Sequence, residues 1–309
     1  MIVIESLRTE TVDDVVARVV AHQRAVAQQH PFINSAVDDA FLVDALLSAA
    51  PDVFVASRDG HVVGHLRGTT LDSEVFGRSV WINPEGLSYD DDRVLEELYV
   101  AMANRCLADH ATRHYVWVPD TTDEILPWLR LGFAFMHLRG SRRLDDLNVQ
   151  MLPTGYSIRR GSIADLQIAM VLDDHLRAAQ ELGPSYALGL DDSSQRDDWV
   201  ETLEDPTVYY VVVEVDGAPV AQCATFPLPE RVGTFPHSIH LSAVTVREGH
   251  RRLGLARAMV DAVLANARDR GYTYAETNWR VTNRNASRYW MNYGFTPTYI
   301  RLHRNVGVG

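Results

Sequence analysis

The stretch Val244-Thr245-Val246-Arg247-Glu248-Gly249-His250-Arg251-Arg252-Leu253-Gly254-Leu255-Ala256 combines residue types that bind anions. An apolar, strand-like run ends in a short basic loop containing glycine, and an amphipathic helical pattern follows at once. The first N–H groups of a helix have no partner inside it, and the helix dipole puts partial positive charge at that end. This order of elements therefore builds an anion cradle. Gly254 and Ala256 carry little or no side chain, which lets a phosphate approach the backbone closely. Arg251, Arg252 and Arg257 add charge, with His250 beside them. The Gly-Lys-Ser/Thr of a nucleoside-triphosphate loop is missing.

Such a cradle needs a strand before it and a helix after it, and the chain writes that scaffold twice. In the C-terminal half, strands are expected at 156–159, 208–215, 219–226, 238–246, 272–278 and 298–303. Ser162 caps a helix reaching Gln180, a loop with Gly183, Pro184 and Gly189 follows, and a short helix covers 193–203. Asp216-Gly217 is a strong hairpin signal. After the basic loop, Ala256, Met259, Val260, Val263, Leu264 and Ala267 share a helical face, Gly271 ends that helix, and another covers 283–292. The N-terminal half repeats the order: strands at 2–7, 53–57, 62–69, 75–82, 115–118 and 133–139, and helices from Thr11, over 94–107 and over 122–131. Asp59-Gly60 matches Asp216-Gly217, and Gly132-Phe133 matches Gly294-Phe295. These landmarks predict a duplicated domain, 1–147 and 148–309, with the junction where Asn148, Pro153 and Gly155 interrupt the apolar pattern.

The two copies differ at the cradle. Opposite the basic loop the first copy reads Ile82-Asn-Pro-Glu-Gly-Leu-Ser-Tyr-Asp-Asp-Asp-Arg93, with Asp90, Asp91 and Asp92 where phosphates would lie. Three carboxylates repel a pyrophosphate but suit a helix N-terminus. The first copy is therefore expected to be a degenerate fold that packs and walls a pocket.

Composition narrows the partners. The 309 residues carry 46% hydrophobic side chains and a formal net charge of −12, a poor balance for binding nucleic acid or an anionic membrane in bulk. Every counted basic residue is arginine; lysine is absent. Cys106 and Cys223 have neither metal spacing nor a disulfide pattern, so they read as buried free thiols in a reducing cytoplasm. No apolar run reaches membrane-span length, and the first residues are too short and too acidic for a signal peptide.

The second copy, over 156–304, resembles the GNAT (GCN5-related N-acetyltransferase) superfamily, and the first resembles it over 2–144. The likeness rests on Arg251-x-x-Gly254-x-Ala256, on Val246-x-Glu248 before it, on Asn283-x-x-Ala286, on Trp290-x-x-x-Gly294-Phe295, and on the duplication itself. It implies a mixed α+β fold of two GNAT-like domains, each a strongly bent sheet flanked by helices. It also implies acetyl-CoA as donor, without a metal, seated where strands 238–246 and 272–278 splay apart. Val244, Thr245, Val246, Arg251, Arg252, Leu253, Gly254, Leu255, Ala256, Arg257, Asn283 and Trp290 are then the expected donor-binding residues. Backbone N–H groups of Val244 and Val246 would bind the thioester oxygen.

An amine attacks a thioester only when neutral, so a proton must leave it. Period two puts His240 on the face of Ser242, Val244 and Val246, at the position where histone-acetylating members carry a Glu base. An imidazole suits that relay, although a half-buried strand also holds structural histidines; His237 is a second choice. Glu276, on the face of Asn278, either meets the amine or is an exposed strand charge. Where the family has its thiolate-protonating Tyr, this chain has Trp290, whose N–H donates a hydrogen bond but cannot deliver a proton. Tyr289 is adjacent and about 100° away on a helix. Three readings stay open: Tyr289 reaches in, Trp290 steadies the thiolate, or no enzyme acid is needed. Core packing explains Trp290 and helix capping explains Asn283 equally well. The leading expectation is an acetyl-CoA-dependent N-acetyltransferase of a small or medium amine, as a monomer or weak dimer. A protein or peptide acceptor, or a non-catalytic acyl-CoA sensor, are the alternatives.

Overall fold

The computed structural model describes residues 1–73, 76–187, 192–229 and 231–307. The first half of the chain runs β1 (Ile2–Ser6), α1 (Val12–Gln29), α2 (Asp39–Ser48), β2 (Val53–Arg58), β3 (His61–Arg67), β4 (Thr69–Ser73), β5 (Gly77–Ile82), β6 (Leu87–Tyr89), α3 (Asp92–Ala108), β7 (Arg113–Pro119), α4 (Thr122–Arg130) and β8 (Ala134–Arg143). The second half runs β9 (Tyr156–Arg160), α5 (Leu166–Glu181), α6 (Asp192–Glu204), β10 (Tyr209–Val215), β11 (Ala218–Pro227), β12 (Ser238–Val246), α7 (Leu255–Asp269), β13 (Tyr274–Arg280), α8 (Arg284–Tyr293) and β14 (Thr296–Asn305). The mixed α/β class matches the sequence expectation. No described helix is long and apolar enough to cross a membrane.

Both hairpins form where Asp-Gly pairs predict them. Asp59 and Gly60 have φ of 52° and 82°, and Asp216 and Gly217 have 49° and 76°. Two positive φ values make the tight turn that matches strand twist. Other local readings are corrected. Helix α2 and strands β4 and β6 were not expected, since short segments carry too few residues to show a period. On α7, Leu255 is buried whereas Ala256 is half-buried. Expected features at Val75 and Gly189 lie outside the described residues.

The chain forms two compact units. The first holds Met1–Arg139, 231–234 and 297–307; the second holds Gly140–Pro229 and Phe235–Thr296. The first unit has the sheet β1-β2-β3-β6, together with β4, β5, β7, β14 and the 134–139 part of β8. Its strand β14 runs antiparallel to β7, with Tyr299 opposite Pro119 and Asn305 opposite Arg113. A core of Leu7, Val15, Val19, Leu42, Leu46 and Val53 packs α1 and α2 against its sheet. The second unit is ordered β8-β13-β12-β11-β10-β9, using the 140–143 part of β8. Its helices lie on two faces: Trp199, Tyr210, Val212 and Ala224 pack α5 and α6 on one, and the apolar stripe of α7 covers the other. Domains were expected at 1–147 and 148–309; the compact units divide the chain within β8, and the first also takes in 231–234 and 297–307.

Candidate active site

Strand β12 positions the second unit's chemistry. It runs parallel to β13 through Ser238–Tyr274, Ile239–Ala275 and His240–Glu276, and Thr277 Oγ1 then donates to Leu241 O at 3.1 Å. Past those residues no register pair joins the two strands among the described residues, while β11 continues to hold the other edge of β12 up to Val246. One side of β12 therefore opens into a gap. The ladder with β11 also breaks there: Ala224 pairs with Ser242 but Gln222 pairs with Thr245, and Ala243 takes φ of 53°. A bulge of this kind leaves its extra residue outside the ladder and bends the strand.

The bulge corrects the period-two reading. Cross-strand partners share a face, so His240, Ser242 and Thr245 lie with Phe226, Ala224 and Gln222, whereas Val246 lies with Ala221 on the opposite face. Thr245, not Val246, continues the His240 face. His240 is half-buried with its ring 5.1 Å from that of Phe226. Glu276 is 3% exposed, which removes the reading of an exposed strand charge.

The basic loop follows β12 directly. A 3-10 turn at Glu248–His250 leads to Arg252 (φ 63°) and then to Gly254 (φ 83°), which is the N-cap of α7. No side chain caps this helix and its first turn holds no acid, so its leading N–H groups face outward without a protein anion. A Cβ added at Gly254 would meet nothing within 4 Å. The left-handed backbone, rather than crowding inside the protein, is what favours glycine there.

The loop side chains divide by role. Arg251 Nε donates to Val246 O at 2.9 Å and ties the loop to its strand. Arg252 and Leu253 are exposed, and Arg252 has no ion pair among the described residues. The Arg257 guanidinium lies 4.2 Å from the centre of the Tyr293 ring and pairs with buried Asp261 at 3.3 Å, so its charge is already engaged. His250 Nδ1 is 2.9 Å from Tyr156 Oη. The Leu255 side chain is in the core, leaving only its backbone for a ligand; Val244 and Val246 are half-buried, and Thr245 Oγ1 is buried without a partner.

Helix α8 carries the expected aromatic pair. Asn283 is its N-cap, with Oδ1 accepting from Ala286 N at 3.0 Å. Trp290 is 6% exposed and sits edge-on to Phe295 at 5.2 Å, inside an aromatic cluster with Tyr289 and Tyr293. Tyr289 carries a buried hydroxyl with no hydrogen-bond partner. Burial, then the neighbouring Cys223 and Asp261, push its pKa well above the usual phenol value. Tyr293 donates its hydroxyl to Asp261. Sequence reading missed this Asp261–Tyr293–Arg257 group; an aspartate inside the apolar stripe of α7 was the available signal.

On the opposite face, a cleft of about 350 Å³ opens between α5, α6 and the sheet. Asp173, Gln195, Trp199, Phe226, Ser242 and Ala243 are among its walls, so its floor is the bulge of β12. None of its α5 and α6 residues stood out in sequence, because they read as ordinary helix faces.

The equivalent place in the first unit is differently built. The expected loop over Ile82–Arg93 is largely structured: β5 ends at Ile82, a 3-10 turn covers Pro84–Gly86, and β6 pairs with β3. Asp90 and Asp91 alone separate β6 from α3. Asp91 caps α3 through Val94 N at 3.0 Å and pairs with Arg58 at 2.9 Å; Asp90 pairs with Arg18 and Asp92 with Arg130. The helix end that would hold a phosphate holds the protein's own carboxylate.

The acetyltransferase (GNAT) family model matches residues 171–295. Among solved structures, a GCN5-related N-acetyltransferase from Sphaerobacter thermophilus is similar with TM-score 0.64 and 12% identity, over 98% of this chain and 95% of that one. A tandem GNAT protein from the clavulanic acid biosynthesis pathway is similar with TM-score 0.56 and 17% identity, over 100% of both chains. A GNAT-family acetyltransferase from Colwellia psychrerythraea is similar with TM-score 0.52 and 12% identity, over 98% of this chain and 99% of that one. A search of curated proteins finds no match. Residues 171–295 thus match the acetyltransferase (GNAT) family model, and along the whole chain the fold is similar to that of a tandem GNAT protein.

Proposed function

We propose, from the match of residues 171–295 to the acetyltransferase (GNAT) family model, that the second unit transfers an acyl group, acetyl first of all, from acyl-CoA to the amine of a small or medium-sized acceptor by direct attack on the thioester. The observation that carries this reading is the uncapped N-terminus of α7, headed by left-handed Gly254 and reached straight from the open edge of β12. In this reading the N–H groups of Leu255, Ala256 and Arg257, with exposed Arg252, bind the pyrophosphate, and Arg251 and Leu253 shape its loop. The backbone at the bulge, at Val244 with Thr245 and Val246 beside it, donates to the thioester oxygen. Bound acyl-CoA supplies the activated carbonyl.

In this reading His240, on the β12 face of Ser242 and beside Phe226, takes the proton of the attacking amine, and buried Glu276, its register partner, holds that imidazole's surroundings polar. Tyr289 presents its unsatisfied hydroxyl to the leaving thiolate. Trp290 packs the wall behind it, and Asn283 fixes the start of α8 near the donor.

Release of free thiol from acetyl-CoA in the presence of an amine panel tests the reaction. Turnover is expected, with His240→Ala lowering kcat by about 100-fold or more and erasing the acidic limb of the pH–rate profile. An unchanged pH profile in that variant would remove His240 from the role, and no turnover with any amine would remove the reaction.

A further inference from the structure

The cleft on the α5–α6 face is lined by acidic and apolar side chains. Among the described residues its lining includes three carboxylates, Asp173 from α5 and Asp198 and Glu201 from α6, and neither arginine nor histidine. Asp198 and Glu201 are spaced three apart on a helix and so stand on one face, both exposed to solvent at the rim. Asp173 is deeper and accepts from Gln195 Nε2 at 3.0 Å. Leu176, Trp199 and Phe226 provide apolar walls, and the floor is Ser242–Ala243, the bulge where β12 leaves β13. Burial and neighbouring acids, Glu201 and Asp173 among them, raise the Asp198 carboxyl. Burial raises that of Asp173 against the opposing hydrogen bonds of Gln195 and Trp199 and the charge of Arg177. Like charges are thus gathered at the mouth of a cleft whose base is the proposed reaction centre.

We infer that the acceptor carries a second positive charge besides the amine that reacts: the reacting amine reaches the β12 bulge, its hydrocarbon spacer lies against Phe226 and Trp199, and the second cation sits between Asp198 and Glu201 at the rim. This rests on the transferase reading of the second unit. A volume of about 350 Å³ is at the small end for ligand sites, which favours a linear or single-ring diamine over a folded protein surface. A neutral-tailed amine would leave the rim carboxylates without a partner, and a carboxylate-bearing amine would be repelled by them.

Calorimetric titration of the full chain with spermidine, a linear triamine, and with n-butylamine, a monoamine, tests the inference without requiring turnover. Spermidine is expected to bind about threefold or more tighter, since ion pairs with solvent-exposed carboxylates are worth about that much. In Asp198→Asn/Glu201→Gln the preference is expected to vanish, with butylamine binding and the response to CoA unchanged. The control Glu10→Gln/Asp13→Asn removes the same charge from the exposed start of the first unit and is expected to keep the preference. Equal affinity for the two amines, or a preference that survives the rim variant or is lost equally in the control, overturns the inference. Stabilisation by CoA without amine discrimination would defeat this inference alone. Discrimination without any effect of CoA would leave the cation cleft standing and defeat the transferase reading.

Discussion

Tyr289 is the side chain whose surroundings bear most on the chemistry. Its hydroxyl is buried without a partner, and leaving such a group unmade costs about 1–3 kcal/mol. A site that keeps this cost is expected to use the group. Tyr289→Phe should therefore leave the unliganded protein as stable or more stable, hold CoA affinity within about twofold, and lower kcat by about tenfold or more. Unfolding curves and thiol-release kinetics on the same preparation check all three. Full activity in the variant would show that the thiolate leaves unaided and that the hydroxyl is an accident of packing. Trp290 fills the register position expected for a phenol, yet it is a wall residue, 6% exposed against Phe295.

At the scale of elements, strand β12 and helix α8 frame the gap. Asn283 holds the first turn of α8 through Ala286 N, so Asn283→Ala should cost about 1 kcal/mol and lower the Tm by a few degrees, while Asn283→Ser restores the cap. If neither variant moves the Tm, the cap is not what fixes this helix. The strand bounds of β12 and both Asp-Gly turns were legible because apolar runs and paired positive φ residues leave clear patterns. The bulge was not legible. Period-two reasoning assumes an unbroken pleat, and Ala243 takes a left-handed conformation that its residue type does not advertise. Strand β6 escaped notice because Leu87-Ser88-Tyr89 is too short to alternate. Asp198 and Glu201 escaped because a charged helix face reads as solvated until a cleft is seen beside it.

At the scale of the whole molecule, the two compact units differ in what stands at the helix end after the strand: a bare N-terminus at α7 and the capping carboxylate of Asp91 at α3. The first compact unit includes residues 297–307 of the second half of the chain, most of β14, and the second begins at Gly140, within β8. Which unit a strand joins leaves no mark in composition or period, so the placement of β14 is not legible in the sequence. The first unit's interior also sets a pH limit. His65 is fully buried, with Nδ1 2.8 Å from Ser88 Oγ and Nε2 3.2 Å from Glu85 O, and burial lowers its pKa to about 4. The unfolded chain binds a proton there near pH 6.5 that the folded chain refuses. Stability should therefore fall as pH drops from 6.5 to 4 and be unaffected above that window, by up to about 3 kcal/mol in all. Urea unfolding of wild type and His65→Asn across that range should show a shallower slope in the variant; equal slopes would contradict the assignment. Across the molecule the net charge of −12 makes the basic loop a local exception, and the account stands on that exception. The direct test is calorimetric titration of CoA into the wild-type protein and into Gly254→Glu, whose carboxylate would project where the pyrophosphate is expected. Binding by wild type, and none by a variant that keeps its unliganded Tm within a few degrees, is the predicted result. No binding by wild type, or undiminished binding by the variant, would contradict the placement of the donor at the head of α7.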